Sequence, residues 1–83
     1  MAAAYTIDVR PRARRSLREL DPPVRKAVVQ VIDGLAIDPR PPGFRPLTGH
    51  RPYLRVRSGD YRVIYAVEDH ARVVIIAARS FDV

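Results

Sequence analysis

Hydrophobic and polar positions change period along this chain, and the change separates helices from strands. Tyr5-Thr6-Ile7-Asp8-Val9 alternates apolar and polar residues among β-formers, which predicts a strand. Pro11 suits a first helical position, and Arg12 to Leu20 predicts a short basic helix with Ala13, Leu17 and Leu20 on its buried stripe. Asp21 reads as an N-cap with Pro22 in the following first turn, where a missing N–H removes no helical bond. The helix opened there is the clearest element. Val24, Ala27, Val28, Val31, Ile32 and Leu35 recur at helical spacing, with Arg25, Lys26, Gln30 and Asp33 elsewhere on the wheel. Gly34 weakens its last turns, and Asp38-Pro39 ends it.

Pro39 to Pro46 is proline-rich and reads as a connecting loop, with Phe44 and Leu47 expected to anchor it to the core. Period-two patterning then returns. Three strands are predicted, Tyr53 to Arg57, Tyr61 to Val67 and Arg72 to Ala78, with reversals at Ser58-Gly59-Asp60 and Glu68-Asp69-His70-Ala71. Unbroken apolar residues from Val73 to Ala78 indicate a central strand covered on both faces. The predicted order is β-α-α-β-β-β. This is an α+β fold, a single domain over residues 1–83, with two N-terminal helices on one face of a small, mainly antiparallel sheet.

Composition narrows the class. The 83 residues carry 15 basic and 9 acidic side chains, a formal charge of +6, and fourteen of the basic residues are arginine. Such a balance points to a polyanionic partner, although genome base composition also favours arginine over lysine. There is no cysteine, so disulfides and thiolate metal sites are excluded and the core holds by packing, as suits a reducing cytoplasm. The six-residue run from Val73 to Ala78 is far too short to cross a bilayer. Asp8 and Arg10 follow too soon after Met1 for a secretory signal. Asp8, Glu19 and Asp33 show no paired-carboxylate spacing, and no histidine–carboxylate cluster suggests a metal.

The chemistry concentrates in the hairpin Tyr53 to Tyr65. Alternation places Arg55 and Arg57 on one face and Leu54 and Val56 on the other, and Arg62 joins the first two from the returning strand. Strand arginines also solubilise an exposed face or blunt an edge. Three together repel one another, and an anion lying between them relieves that repulsion; phosphate matches guanidinium geometry best. Arg10, Arg12, Arg14, Arg15 and Arg18 form a second basic run, either a solvated helix face or an RNA-contacting one. Tyr61 and Tyr65 share a face with Val63 and Val67 and are expected in the core.

Two segments carry a family resemblance. Leu47-Thr48-Gly49-His50-Arg51-Pro52-Tyr53-Leu54-Arg55-Val56-Arg57 resembles a leucine-glycine loop leading into a strand with alternating basic residues. Asp60-Tyr61-Arg62-Val63-Ile64-Tyr65 is similar to the tyrosine-arginine-aliphatic-aliphatic-tyrosine strand of the RelE/ParE superfamily of bacterial toxins. With the leading strand and both helices, the likeness extends over nearly the whole chain and is strongest to the RelE-like mRNA interferases.

That resemblance implies a type II toxin–antitoxin toxin acting in the cytoplasm without cofactor or metal. Its partners would be a cognate antitoxin and messenger RNA on the ribosome, with contacts to ribosomal RNA and no membrane. The implied reaction is endonucleolytic, a 2′-hydroxyl attacking the adjacent phosphodiester. Arg55 and Arg62 would neutralise phosphate charge, and Arg79 approximates a C-terminal arginine of the family. Arg51, Tyr53 and Arg57 would contact RNA. The pattern departs from the family in two places. Tyr53 stands where some relatives have lysine, and the sequence ends Ser80-Phe81-Asp82-Val83 with no tyrosine near its C-terminus. Arginine is a poor general base, so the candidates for moving a proton are His50 and the phenols of Tyr53 and Tyr61. His70, at the other end of its strand, is expected at the surface. The superfamily also contains ParE-like gyrase inhibitors without nuclease chemistry, and a catalytically weakened antitoxin-binding remnant would share this sequence pattern.

Overall fold

The computed structural model describes residues 4–77. Strand β1 (Thr6–Val9) leads into α1 (Pro11–Arg18) and α2 (Pro22–Ile37), followed by β2 (Arg45–Pro46), β3 (Leu54–Ser58), β4 (Tyr61–Glu68) and β5 (Val73–Ile76). The five strands form one sheet in the order β1-β5-β4-β3-β2. Every neighbouring pair is antiparallel except β1 with β5, which is parallel. The α+β architecture matches the sequence expectation, with one strand added.

That strand is β2. Its two residues fall in the expected loop, where Pro46 cannot donate a ladder hydrogen bond and so lowers any strand signal. Pairing supplies what local preference lacks, for Arg45 lies opposite Arg55 and Pro46 opposite Leu54. A short, proline-bearing outer strand is also a poor template for further pairing, which protects this edge of the sheet.

Both helices lie on the same face of the sheet. Ala13 from α1 and Val28, Ile32 and Leu35 from α2 are buried with Val56, Val63, Tyr65, Val74 and Ile76 from the strands. Leu17, Leu20, Val24 and Val31 pack partly buried against that cluster, whereas Ala27, placed on the same stripe by spacing, is exposed. Asp21 occupies the N-cap position of α2, but its side chain makes no capping hydrogen bond. The helix runs through the exposed Gly34 and stops where Asp38, ahead of Pro39, turns extended at φ −136° and ψ 96°.

The loop after α2 is held differently from expectation. Phe44 and Leu47 are only half-buried and lie outside the core cluster. The anchor is Tyr65, fully buried, whose hydroxyl donates to the Pro39 carbonyl at 2.8 Å. Burial pushes that phenol up to about 12, so it stays a neutral donor. Asp69 adds a surface clasp by accepting from Tyr5 Oη at 2.9 Å and from both terminal nitrogens of Arg40 at 3.1 and 3.3 Å. Those donors hold its carboxyl below the usual carboxylate range, Arg40 contributing most.

Strand β4 is the middle strand, and Val63 through Ala66 are all buried. Strand β5, inside the sheet as its apolar run suggests, is fully covered only at Val74 and Ile76, with Val73 and Ile75 half-buried.

Candidate phosphate-binding face

The β3–β4 hairpin closes through a two-residue loop, Gly59-Asp60. Gly59 has φ +61°, the left-handed region that a residue with a Cβ resists, and Asp60 does not share it. Glycine at the first position of such a loop matches the twist of the flanking strands and fixes their register. Everything on the outer face follows from that register.

Arg57 lies directly opposite Arg62, and Arg55 opposite Ile64. Directly opposed residues bring their Cβ atoms to within about 4.5–5.5 Å, so the two guanidinium stems start side by side. Arg55 and Arg62 stand on the diagonal of the same hairpin, a separation of about 7–8 Å. A phosphoryl group hydrogen-bonded by one guanidinium on each side needs a gap of that order. The expected convergence of Arg55, Arg57 and Arg62 on one face is therefore present in the register.

The ladder adds a residue that sequence reading passed over. Arg45 on β2 is opposite Arg55, so four arginines from three adjacent strands share this face. Arg45, Arg57 and Arg62 are exposed and Arg55 is half-buried. Among the described residues the ion pairs are Arg10–Asp8 and Arg40–Asp69, and none involves the four. Like charges directly opposite each other destabilise a sheet, so among the described residues nothing offsets the repulsion on this face. Beside the arginines lies an apolar strip. Ile64 and Ala66 are 4% and 7% exposed on the side of the sheet away from the helices.

The other named residues divide by position. Tyr53 immediately precedes β3, and its carbonyl accepts from the Leu47 amide at 2.9 Å, which carries the β2–β3 pairing one residue further. Alternation from Arg55 then puts Tyr53 on the arginine face, where it is 37% exposed. His50 and Arg51 sit exposed in the turn just before it, with the His50 amide donating to the Leu47 carbonyl at 3.1 Å. Tyr61 packs partly buried against the core on the helix side, so it does not face the arginines. Tyr65 is fully buried, as expected. His70 is exposed in the β4–β5 turn. Arg79 lies outside the described residues. No group of three or more His, Cys, Asp or Glu residues with metal-holding geometry occurs among the described residues. No helix of the described residues is long and apolar enough to cross a membrane.

A small sheet of this order, with two helices on one side and an arginine-lined hairpin on the other, is a RelE-like fold. Residues 7–80 match the family model of the ParE toxin of the type II toxin–antitoxin system parDE, and the chain belongs to that family, within the RelE/ParE superfamily. Solved structures similar to it include toxins from toxin–antitoxin complexes. One is the RelBE2 complex of Mycobacterium tuberculosis, 31% identical over 92% of this chain and 88% of that one, with a TM-score of 0.76. The intact RelBE complex of E. coli is 27% identical over 96% and 99% of the two chains, at 0.79. The archaeal RelE–RelB complex of Pyrococcus horikoshii OT3 is 27% identical over 88% and 89%, at 0.77. Comparison with curated proteins finds no match. The protein is thus a toxin of a type II toxin–antitoxin system.

Proposed function

We propose that this toxin is a ribosome-dependent endoribonuclease that cleaves messenger RNA in the cytoplasm and is silenced by a cognate antitoxin. The observation that carries this reading is the unpaired arginine group: Arg57 opposite Arg62, and Arg45 opposite Arg55, without a carboxylate partner among the described residues. In the reaction the 2′-oxygen bonds to the adjacent phosphorus as its proton leaves to a base. The phosphorus–5′-oxygen bond breaks, that oxygen takes up a proton, and a 2′,3′-cyclic phosphate and a 5′-hydroxyl result. Negative charge accumulates on the pentacoordinate phosphorus, and guanidinium groups fixed on the sheet stabilise it without reorganising. Arg55 and Arg62, on the hairpin diagonal, are the pair suited to flank it, with Arg79 a further cation. Arg51, Tyr53 and Arg57 hold the flanking RNA.

Proton transfer falls to His50 or Tyr53, the two candidates near the start of β3. An imidazole ring offers both a proton-accepting and a proton-donating nitrogen, which suits a group that must take up and return a proton. An antitoxin would cover the arginine face with an acidic or amphipathic segment, in line with the RelB-bound state of the similar structures.

The match to a ParE model favours one other reading, poisoning of DNA gyrase without nuclease chemistry. Inducible expression without antitoxin separates the two. The nuclease reading predicts arrested growth with loss of message, relieved by Arg62→Ala. Double-strand breaks with intact message would establish the gyrase reading instead.

A further inference from the structure

A groove that the arginine chemistry does not use opens on the other side of the same hairpin. Pro23, Val24 and Ala27 at the start of α2 form one wall, and Ser58, Asp60 and Tyr61 at the hairpin tip form the other. Its volume of about 290 Å³ lies at the small end of ligand sites, which suits one planar ring system. The helix wall is apolar. Ala27, which helical spacing puts on the buried stripe, is exposed because it opens onto this space. The hairpin wall is polar at its rim. The hydroxyls of Ser58 and Tyr61 and the carboxylate of Asp60 make no hydrogen bond or ion pair with any described residue.

The groove is continuous with the arginine face through the hairpin tip. Ser58 lies opposite Tyr61, one pair beyond Arg57 and Arg62 in the same ladder. Side chains alternate, so the arginine pair projects to the outer face and the Ser58–Tyr61 pair to the helix side. Gly59 has no side chain, and nothing lies within 4 Å of where its Cβ would stand, so an extended strand can cross the tip from one face to the other. We infer that this groove is a nucleobase subsite that takes a base flanking the phosphate at Arg57 and Arg62, and takes guanine above the other bases. The inference rests on the proposed RNA-cleaving reading and adds base selection to it.

The unpartnered polar rim selects this occupant. An aliphatic side chain in the groove would cover those groups without giving them a partner, which costs free energy. A nucleobase lays its faces against apolar walls and offers hydrogen bonds at its edge. Asp60 then sets which base fits, because a carboxylate only accepts. Guanine carries two adjacent donors, N1–H and the 2-amino group, one for each carboxylate oxygen. Adenine and cytosine place a ring acceptor beside their amino group, and uracil sets its single N–H between two carbonyls. Each of these three turns an acceptor toward the carboxylate.

The test is a titration of single-stranded oligouridylates of one length, carrying guanosine, inosine, adenosine, cytidine or uridine at one central position. It compares the wild-type chain with Asp60→Ala, Ala27→Leu and Arg62→Ala. Asp60 and Ala27 are exposed, and circular dichroism checks that each variant keeps the fold. The wild-type chain should bind the guanosine strand about tenfold more tightly than the adenosine, cytidine and uridine strands. The inosine strand, which keeps N1–H but lacks the 2-amino group, should fall between. Asp60→Ala removes the acceptor and Ala27→Leu fills the groove, so each should bring all five strands within about twofold of one another. Arg62→Ala should weaken all five alike and keep the guanosine preference. A wild-type chain without that preference, or a preference that survives Asp60→Ala or Ala27→Leu, would overturn the inference. If those two variants loosen the antitoxin and leave every strand bound as before, the groove is a protein contact and the inference is equally overturned. Cleavage is not read in this experiment, so its failure is distinct from failure of the nuclease reading.

Discussion

At the scale of single residues, function shows as a cost in stability. Arg57 and Arg62 face each other across the hairpin with no acidic partner among the described residues. Replacing Arg57 by Gln should therefore raise stability by about 0.2–1 kcal/mol. The gain should shrink in high salt, where exposed charges are already screened. The same substitution should weaken RNA binding. Urea denaturation at low and high salt, beside an RNA titration, checks both halves; a destabilised Arg57→Gln would show the repulsion to be compensated. Tyr65 makes a different prediction. Its phenol, at about 12 in the folded chain, lies above its ordinary value near 10, so the folded state keeps a proton that the unfolded state releases. The resulting stabilisation is complete below pH 10 and is lost as pH rises toward 12. Tyr65→Phe should cost about 1 kcal/mol near neutrality through the lost bond to the Pro39 carbonyl. It should also flatten the alkaline fall in stability relative to wild type, as measured by denaturation between those pH values.

Among elements, the β3–β4 hairpin controls the site because its loop sets the register of every arginine pair. Gly59→Ala places a Cβ on a residue at φ +61° and should destabilise the fold by about 1–2 kcal/mol. Nothing lies within 4 Å of that added carbon, so the penalty is backbone strain rather than a clash. Thermal melts measure the loss, and RNA affinity should fall with it if the register shifts. The hairpin was legible in the sequence because alternation and a glycine-containing turn are local signals. So was α2, whose Val28, Ile32 and Leu35 all reach the core. Strand β2 was not, since two residues ending in proline have no period, and only the outer edge of β3 makes them a strand. Arg45 was missed for that reason. Tyr61 stayed open among the proton-transfer candidates until the register placed it against the core. Phe44 and Leu47 are the expected loop anchors because apolarity is visible in a sequence, whereas the Tyr65 hydroxyl reaching the Pro39 carbonyl leaves no such signal.

For the whole molecule, the net charge of +6 resolves into two cationic surfaces on opposite sides of the sheet, one on the hairpin and one on α1. The total charge points to a polyanionic partner. The family assignment fixes the protein as a toxin of a type II system, and the arginine face favours RNA cleavage as its action. The most direct test is primer extension on a defined message bound to purified ribosomes, incubated with the wild-type chain or with Arg62→Ala, with ribosome-free message as control. The account predicts discrete cuts that require the ribosome, occur without added metal beyond that needed by the ribosome, and disappear in Arg62→Ala. An uncut message with wild-type protein, or equal cutting by Arg62→Ala, would contradict it.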